Sequence, residues 1–169
     1  MNRIHSIPTI GFAFSIIKNK LRPELAGRPG KEIAAMRKAG EAVTHEVAEK
    51  KLAFICDTSI EALEAQPDIL LYPVIIIECT FLLPDELQNA HDTKHIHWQQ
   101  LLPYVQAHPE VTFVLIHFSL RYRDSEIAAF FDEQCRLHNI SNIKPWLTDP
   151  VDADAEDAPD GAAAAASNS

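Results

Sequence analysis

The stretch Phe113–Tyr122 runs FVLIHFSLRY. With Val111 just upstream, Phe113, Val114, Leu115 and Ile116 make an apolar, partly β-branched run that reads as a buried strand. It stops at His117, and Phe118, Ser119, Arg121 and Tyr122 follow. In α/β folds the groups that bind and react sit at the C-terminal ends of such strands. Taken alone, a histidine there also fits a purely structural role.

Two further stretches repeat the pattern. LAFICDT (Leu52–Thr58) is apolar until Asp57, and ILLYPVIIIECTF (Ile69–Phe81) is apolar until Glu78, Cys79 and Thr80. Three buried-type strands therefore each deliver an ionisable group at their end. A charge at the edge of a core costs roughly several kcal/mol unless it is paired or bound to metal. Three such groups converging imply a shared site.

The order Asp57-Thr58, then Glu78-Cys79-Thr80-Phe81, then Ala90-x4-His95, then HFSLRY resembles part of the tRNase Z (RNase Z) branch of the metallo-β-lactamase fold. The opening HSIPTIGF (His5–Phe12) is similar to the family stretch that precedes these motifs. The resemblance covers about residues 3–147. It implies an α/β fold, the C-terminal half of an αββα sandwich, with a mixed sheet and flanking helices. It also implies that His5, Asp57 and His117 are metal ligands, with Asp57 bridging two zinc ions. Zinc accepts both imidazole nitrogen and carboxylate oxygen. Glu78 and His95 correspond to the catalytic pair, the glutamate supporting a histidine that neutralises the departing ribose 3′-oxygen. A ribose oxygen leaves poorly without a positioned acid. Ser119 and Arg121 suit a substrate phosphate, since arginine offers a planar donor fork. Alternatively, Arg121 pairs with a nearby acid such as Asp124. The implied substrate is precursor tRNA.

The family's strongest signature, His-x-His-x-Asp-His, occurs nowhere in the sequence; His95-Ile96-His97-Trp98 stands where the family often has His-Ser-Thr. Most of the metal ligands are therefore lacking. The expectation is a partial domain, inactive alone: a fragment, one part of a split enzyme completed by a missing N-terminal half or second subunit, or a degenerate relative. The alternative is a non-catalytic half-domain that works as an interaction module through an open sheet edge, as a homodimer or with another chain.

Composition sets outer limits. With 169 residues, 47% apolar and 23% charged, the chain has the make-up of one ordinary globular domain. No apolar run approaches the roughly 20 residues of a membrane span, so no membrane partner is expected. Cys56, Cys79 and Cys135 lack metal-type spacing and read as small hydrophobes in a reducing, intracellular compartment. The net charge is −9, but six acids and no base lie from Asp149 onward, whereas residues 1–40 carry eight Lys/Arg and two Glu. The basic N-terminal quarter permits phosphate contacts. The domain is expected over residues 1–148, with 149–169 an acidic, Ala-rich disordered tail.

Between the motifs, strands are expected within His5–Ile17 and over Leu52–Cys56, and an exposed basic loop over Lys18–Gly30. A short helix is expected over Lys31–Ala39, with Gly40 as its cap. Thr58-x-x-Glu61 reads as a capping box for a helix to about Ala65. Pro73 suggests that the next strand shortens to Val74–Ile77. Ile96–Ala107 reads as helical. Asp124 reads as the N-cap of a helix to about Leu137, and ISNIKPWL (Ile140–Leu147) as a short final strand. His45, His91, His97, His108 and His138 are expected at the surface.

Overall fold

The computed structural model describes residues 9–147. His5 and the proposed tail, 149–169, lie outside the described residues. The strands are β1 (Phe12–Leu21), β2 (Thr44–Ile55), β3 (Val74–Glu78), β4 (Thr112–Ile116) and β5 (Ile143–Pro145). The helices are α1 (Gly30–Lys38), α2 (Glu61–Ala65), α3 (Leu87–Thr93), α4 (Trp98–Ala107) and α5 (Asp124–His138). The strands form one five-stranded sheet in the order β1-β2-β3-β4-β5. β1 and β2 are antiparallel; β2 to β5 are parallel. The molecule is thus α/β with a mixed sheet and flanking helices.

This connectivity dictates where the helices go. Crossovers between parallel strands are almost always right-handed. When successive crossovers step in the same direction along a sheet, their helices fall on the same face. The buried core follows that rule. Leu63 of α2, Leu101 and Val105 of α4, and Ile127 and Phe131 of α5 pack with Ala53, Ile75, Phe113 and Ile143 of the sheet. Trp98 stands edge-on to Phe131 with ring centroids 5.1 Å apart and donates its indole N–H to Gln134. Pairing register puts Phe12, Phe54, Ile76 and Val114 in one row across the sheet. That row faces away from the helices, and among the described residues nothing covers it fully: Phe12 is 56% exposed and Phe14, two residues on, 52%.

Several boundaries differ from expectation. β1 continues through Lys18–Leu21, where a loop was expected, and β2 begins at Thr44. The polar alternation THEVAEKK pairs with β1 as a two-stranded ribbon beyond the helix-covered core, so it lacks the apolar run that marks a buried strand. Glu49 in this ribbon pairs with both Lys18 and Lys51. α1 has no buried residue, so its weak apolar stripe packs into no core. The shortened strand at Val74 is observed, because Pro67–Leu71 coils into a 3-10 turn instead. Gly11 lies close against β2: a Cβ there would stand 3.1 Å from the Phe54 carbonyl oxygen. No helix among the described residues is long and apolar enough to cross a membrane.

Candidate metal and acid–base site

Parallel pairing aligns the C-terminal ends of β2, β3 and β4. Ile55 pairs with Ile77, and Glu78 with Ile116. Asp57, Glu78 and His117 therefore emerge side by side on one edge of the sheet, as their strand-end positions suggested. The two outer residues turn sharply. Asp57 has φ 57° and His117 φ 62°, both left-handed. Asp and His enter this region more readily than most side chains, but a non-glycine residue held there still costs about 1–3 kcal/mol. His117 is braced on both sides: Cys79 N–H donates to the Ile116 carbonyl at 2.9 Å, and Ser119 N–H to the Thr80 carbonyl at 3.0 Å.

Glu78 is the hub. Its side chain is fully buried. The carboxylate accepts the Thr58 N–H, the Ile96 N–H at 3.1 Å and the Thr80 hydroxyl at 2.7 Å. His95 Nδ1 lies 3.1 Å from both of its oxygens. No buried side-chain polar atom is left without a hydrogen-bond partner among the described residues. This arrangement accounts for a buried charge that would otherwise be prohibitive. It also displaces the expected Thr58–Glu61 capping box. Thr58 gives its N–H to Glu78, and α2 starts only at Glu61 behind Ile60.

Around the hub, the His95 and His117 rings stack with centroids 5.2 Å apart. His95 Nδ1 lies 3.8 Å from Asp57 Oδ1. Thr80 Oγ1 lies 2.9 Å from His117 Nδ1. Ligand atoms of Glu78, His95 and His117 all fall within 4.8 Å of one another, a spacing that can hold a metal ion. The donor chemistry suits zinc. Within the group, however, the Glu78 oxygens are already occupied by four donors, so Glu78 is better placed to orient ligands than to bind an ion. Asp57, whose side chain is 58% exposed, carries its carboxylate on the solvent side of the same cluster.

The turn after His117 is held by a second buried acid that the sequence reading missed. Glu86 accepts the Tyr122 hydroxyl and the Leu83 N–H, and pairs with Arg121 at 3.0 Å. Arg121 also lies over the Phe81 ring, 5.8 Å from its centroid, and its Nε donates to Ser119 Oγ at 3.2 Å. The acid that meets Arg121 is therefore Glu86. Burial, and then the hydrogen bond to Glu86, push the Tyr122 hydroxyl pKa up to about 12. Glu86 is held below the usual carboxylate range: burial opposes this, but the Tyr122 hydroxyl, two backbone N–H groups and Arg121 outweigh it.

His97 is not at the surface; it is fully buried. It caps α4, accepting the Gln99 N–H on Nδ1 at 3.0 Å and donating from Nε2 to the Leu83 carbonyl at 2.8 Å. Both partners are backbone groups, so no side-chain pattern in the sequence signals this role. Asp124 is the first residue of α5 rather than its cap, a one-residue difference. Cys79 is fully buried, and burial followed by the Glu78 charge drives its thiol well above the ordinary pKa.

No family model matches the chain. It is 31% identical over 126 residues to tRNase Z TRZ1 of Arabidopsis thaliana, a match covering 73% of this chain and 45% of that protein. It is 32% identical over 128 residues to the chloroplastic tRNase Z TRZ2 of the same plant, covering 73% and 36%. Among solved structures, unliganded yeast PDE1 aligns with 86% of this chain and 46% of that one, at 11% identity and a TM-score of 0.43. The chain spans less than half the length of the curated relatives it matches. Over the residues it shares with them, the chain is similar to the tRNase Z proteins and corresponds to part of such a protein.

Proposed function

We propose that this chain supplies the Glu78-centred half of a tRNase Z-like, zinc-dependent phosphodiesterase that removes the 3′ trailer of precursor tRNA. The observation that carries the reading is the hub itself. One buried carboxylate ties together an acid–base histidine, His95, and a ligand-type histidine, His117, on the sheet edge where Asp57 also emerges.

Asp57 and His117, with His5, would hold the metal. Bound zinc polarises phosphoryl oxygens and lowers the pKa of bound water to about 7. The chain's own residues do the rest. Glu78 keeps one proton of His95 on Nδ1 and orients the ring, and in its imidazolium form the ring delivers the proton on Nε2 to the departing ribose 3′-oxygen. Ser119 and Arg121, on the turn after His117, take a phosphate oxygen of the substrate.

The reading is of a partial machine. A zinc site needs three or four protein ligands, the sequence has no His-x-His-x-Asp-His run, and one face of the sheet stays apolar and open among the described residues. The chain alone is expected to lack activity and to gain it from a polypeptide that supplies the remaining ligands and covers that face. The same open face favours a second reading, a non-catalytic interaction module.

One experiment separates them. Precursor tRNA and zinc are incubated with the chain alone, and with the chain mixed with a polypeptide carrying the family's His-x-His-x-Asp-His motif. Trailer cleavage only in the mixture, reduced about 10²–10⁴-fold by His95→Ala, supports the enzyme. A stable complex without cleavage contradicts it and leaves the interaction module.

A further inference from the structure

We propose that Thr80 is a positioning residue that sets the tautomer of His117, so that this imidazole presents its Nε2 lone pair at the sheet edge. Three groups share the protons that decide this: the buried Glu78 and Thr80 and the exposed His117 ring. A hydroxyl has one hydrogen to give and lone pairs to receive. Thr80 Oγ1 lies 2.7 Å from Glu78 Oε2 and 2.9 Å from His117 Nδ1. Glu78 also receives two backbone N–H groups, from Thr58 and Ile96, which can only donate. The carboxylate form accepts from all of them at once. Thr80 therefore spends its hydrogen on Glu78, because two oxygens 2.7 Å apart with no proton between them would repel. Its oxygen is left to accept, so His117 must donate from Nδ1. In a neutral imidazole, Nε2 then holds the lone pair.

The backbone reinforces the arrangement. The Thr80 carbonyl accepts the Ser119 N–H at 3.0 Å, and Cys79 N–H holds the Ile116 carbonyl at 2.9 Å. The same two-residue segment thus holds the backbone on both sides of the left-handed His117. Thr80 is 7% exposed, so water does not readily replace its hydroxyl. A partner on the distal nitrogen is how proteins choose which histidine nitrogen meets a metal. The tautomer stands independently of the proposed function; only its consequence, ligand supply to an ion, rests on that reading.

The test uses the metal-free full chain with 15N-labelled histidine, at a pH well above the ordinary imidazole pKa. His117→Gln assigns the signals. The expected result is a His117 proton on Nδ1 in the wild-type chain. Thr80→Val, close in shape but without the hydroxyl, should move that proton toward Nε2, and Thr80→Ser should keep it on Nδ1. A wild-type His117 protonated on Nε2, or a Thr80→Val tautomer unchanged from wild type, overturns the proposal. If Thr80→Val does not fold, the wild-type and Thr80→Ser spectra still decide it. As a second readout, zinc affinity should fall about 10–100-fold in Thr80→Val and recover in Thr80→Ser. Because the tautomer is read without metal, a chain that binds no zinc counts against the proposed function and not against this one.

Discussion

Two neighbouring rows of side chains cross the same sheet and meet opposite surroundings. Ala53, Ile75, Phe113 and Ile143 make one row, each at most 7% exposed beneath α2, α4 and α5. Phe12, Phe54, Ile76 and Val114 make the next, no less apolar, yet Phe12 is 56% exposed. Composition does not separate the rows; connectivity does. Every crossover between the parallel strands steps the same way along the sheet, so α2, α4 and α5 fall on one face. Strands of parallel sheets are ordinarily apolar on both faces because both are covered. These strands carry the residues for two covers, and the described residues supply one. The functional edge belongs to both rows, since Asp57, Glu78 and His117 sit at the ends of the strands that form them.

The comparison predicts a steep contrast in stability. Phe113→Ala, in the covered row, should lower the unfolding free energy by about 3–5 kcal/mol in urea denaturation. Phe12→Ala, in the open row, should change it by no more than about 0.5 kcal/mol. Equal losses would mean that the open face is covered in solution. An effect at least as large is expected where the rows end. Glu78→Ala leaves the buried donors of Thr80 and Ile96 and the half-buried N–H of Thr58 without an acceptor, at about 1–3 kcal/mol for each buried one, and circular dichroism melts should show a sharply lower Tm.

A smaller effect concerns the Tyr122–Glu86 bond that holds the turn after His117. Folding raises the Tyr122 pKa to about 12, so the native state favours the protonated phenol. That contribution is fully present below the ordinary tyrosine pKa of about 10. It is lost as pH rises through about 12. Unfolding free energy measured across that range should fall more steeply in the wild-type chain than in Tyr122→Phe. The smallest effect on the fold is expected at Asp57. Asp57→Gly relieves the left-handed backbone and should leave stability unchanged or raise it by up to about 1 kcal/mol. Metal binding, in contrast, should be lost. A clear loss of stability in this variant would show that Asp57 is structural.

Much of the parallel sheet was legible from the strand-end pattern, because buried strands advertise themselves as apolar runs that stop at a charge. The convergence of Asp57, Glu78 and His117 followed from the same pattern. The β1–β2 ribbon was only partly legible, because Thr44–Lys51 is polar and pairs outside the core, where no burial disciplines its sequence. His97 was misplaced because its partners, Gln99 N–H and the Leu83 carbonyl, are backbone groups that no side-chain pattern reveals. Glu86 escaped notice for a related reason: its partners Arg121 and Tyr122 lie 35 and 36 positions away, and only the fold brings them together. Thr80 could have been found. It follows Glu78 by two residues, and on an extended backbone that spacing returns a side chain to the same side.

The central claim is that Asp57 and His117 form half of a metal site organised by Glu78. The most direct test is the zinc content of the purified, folded 169-residue chain beside Asp57→Ala, measured after equilibration with zinc and removal of excess. The account predicts weak zinc retention by the wild-type chain, lost in Asp57→Ala, and rising to stoichiometric when the complementary polypeptide is present. Zinc retained equally by both proteins in the complex, or by neither, would contradict it.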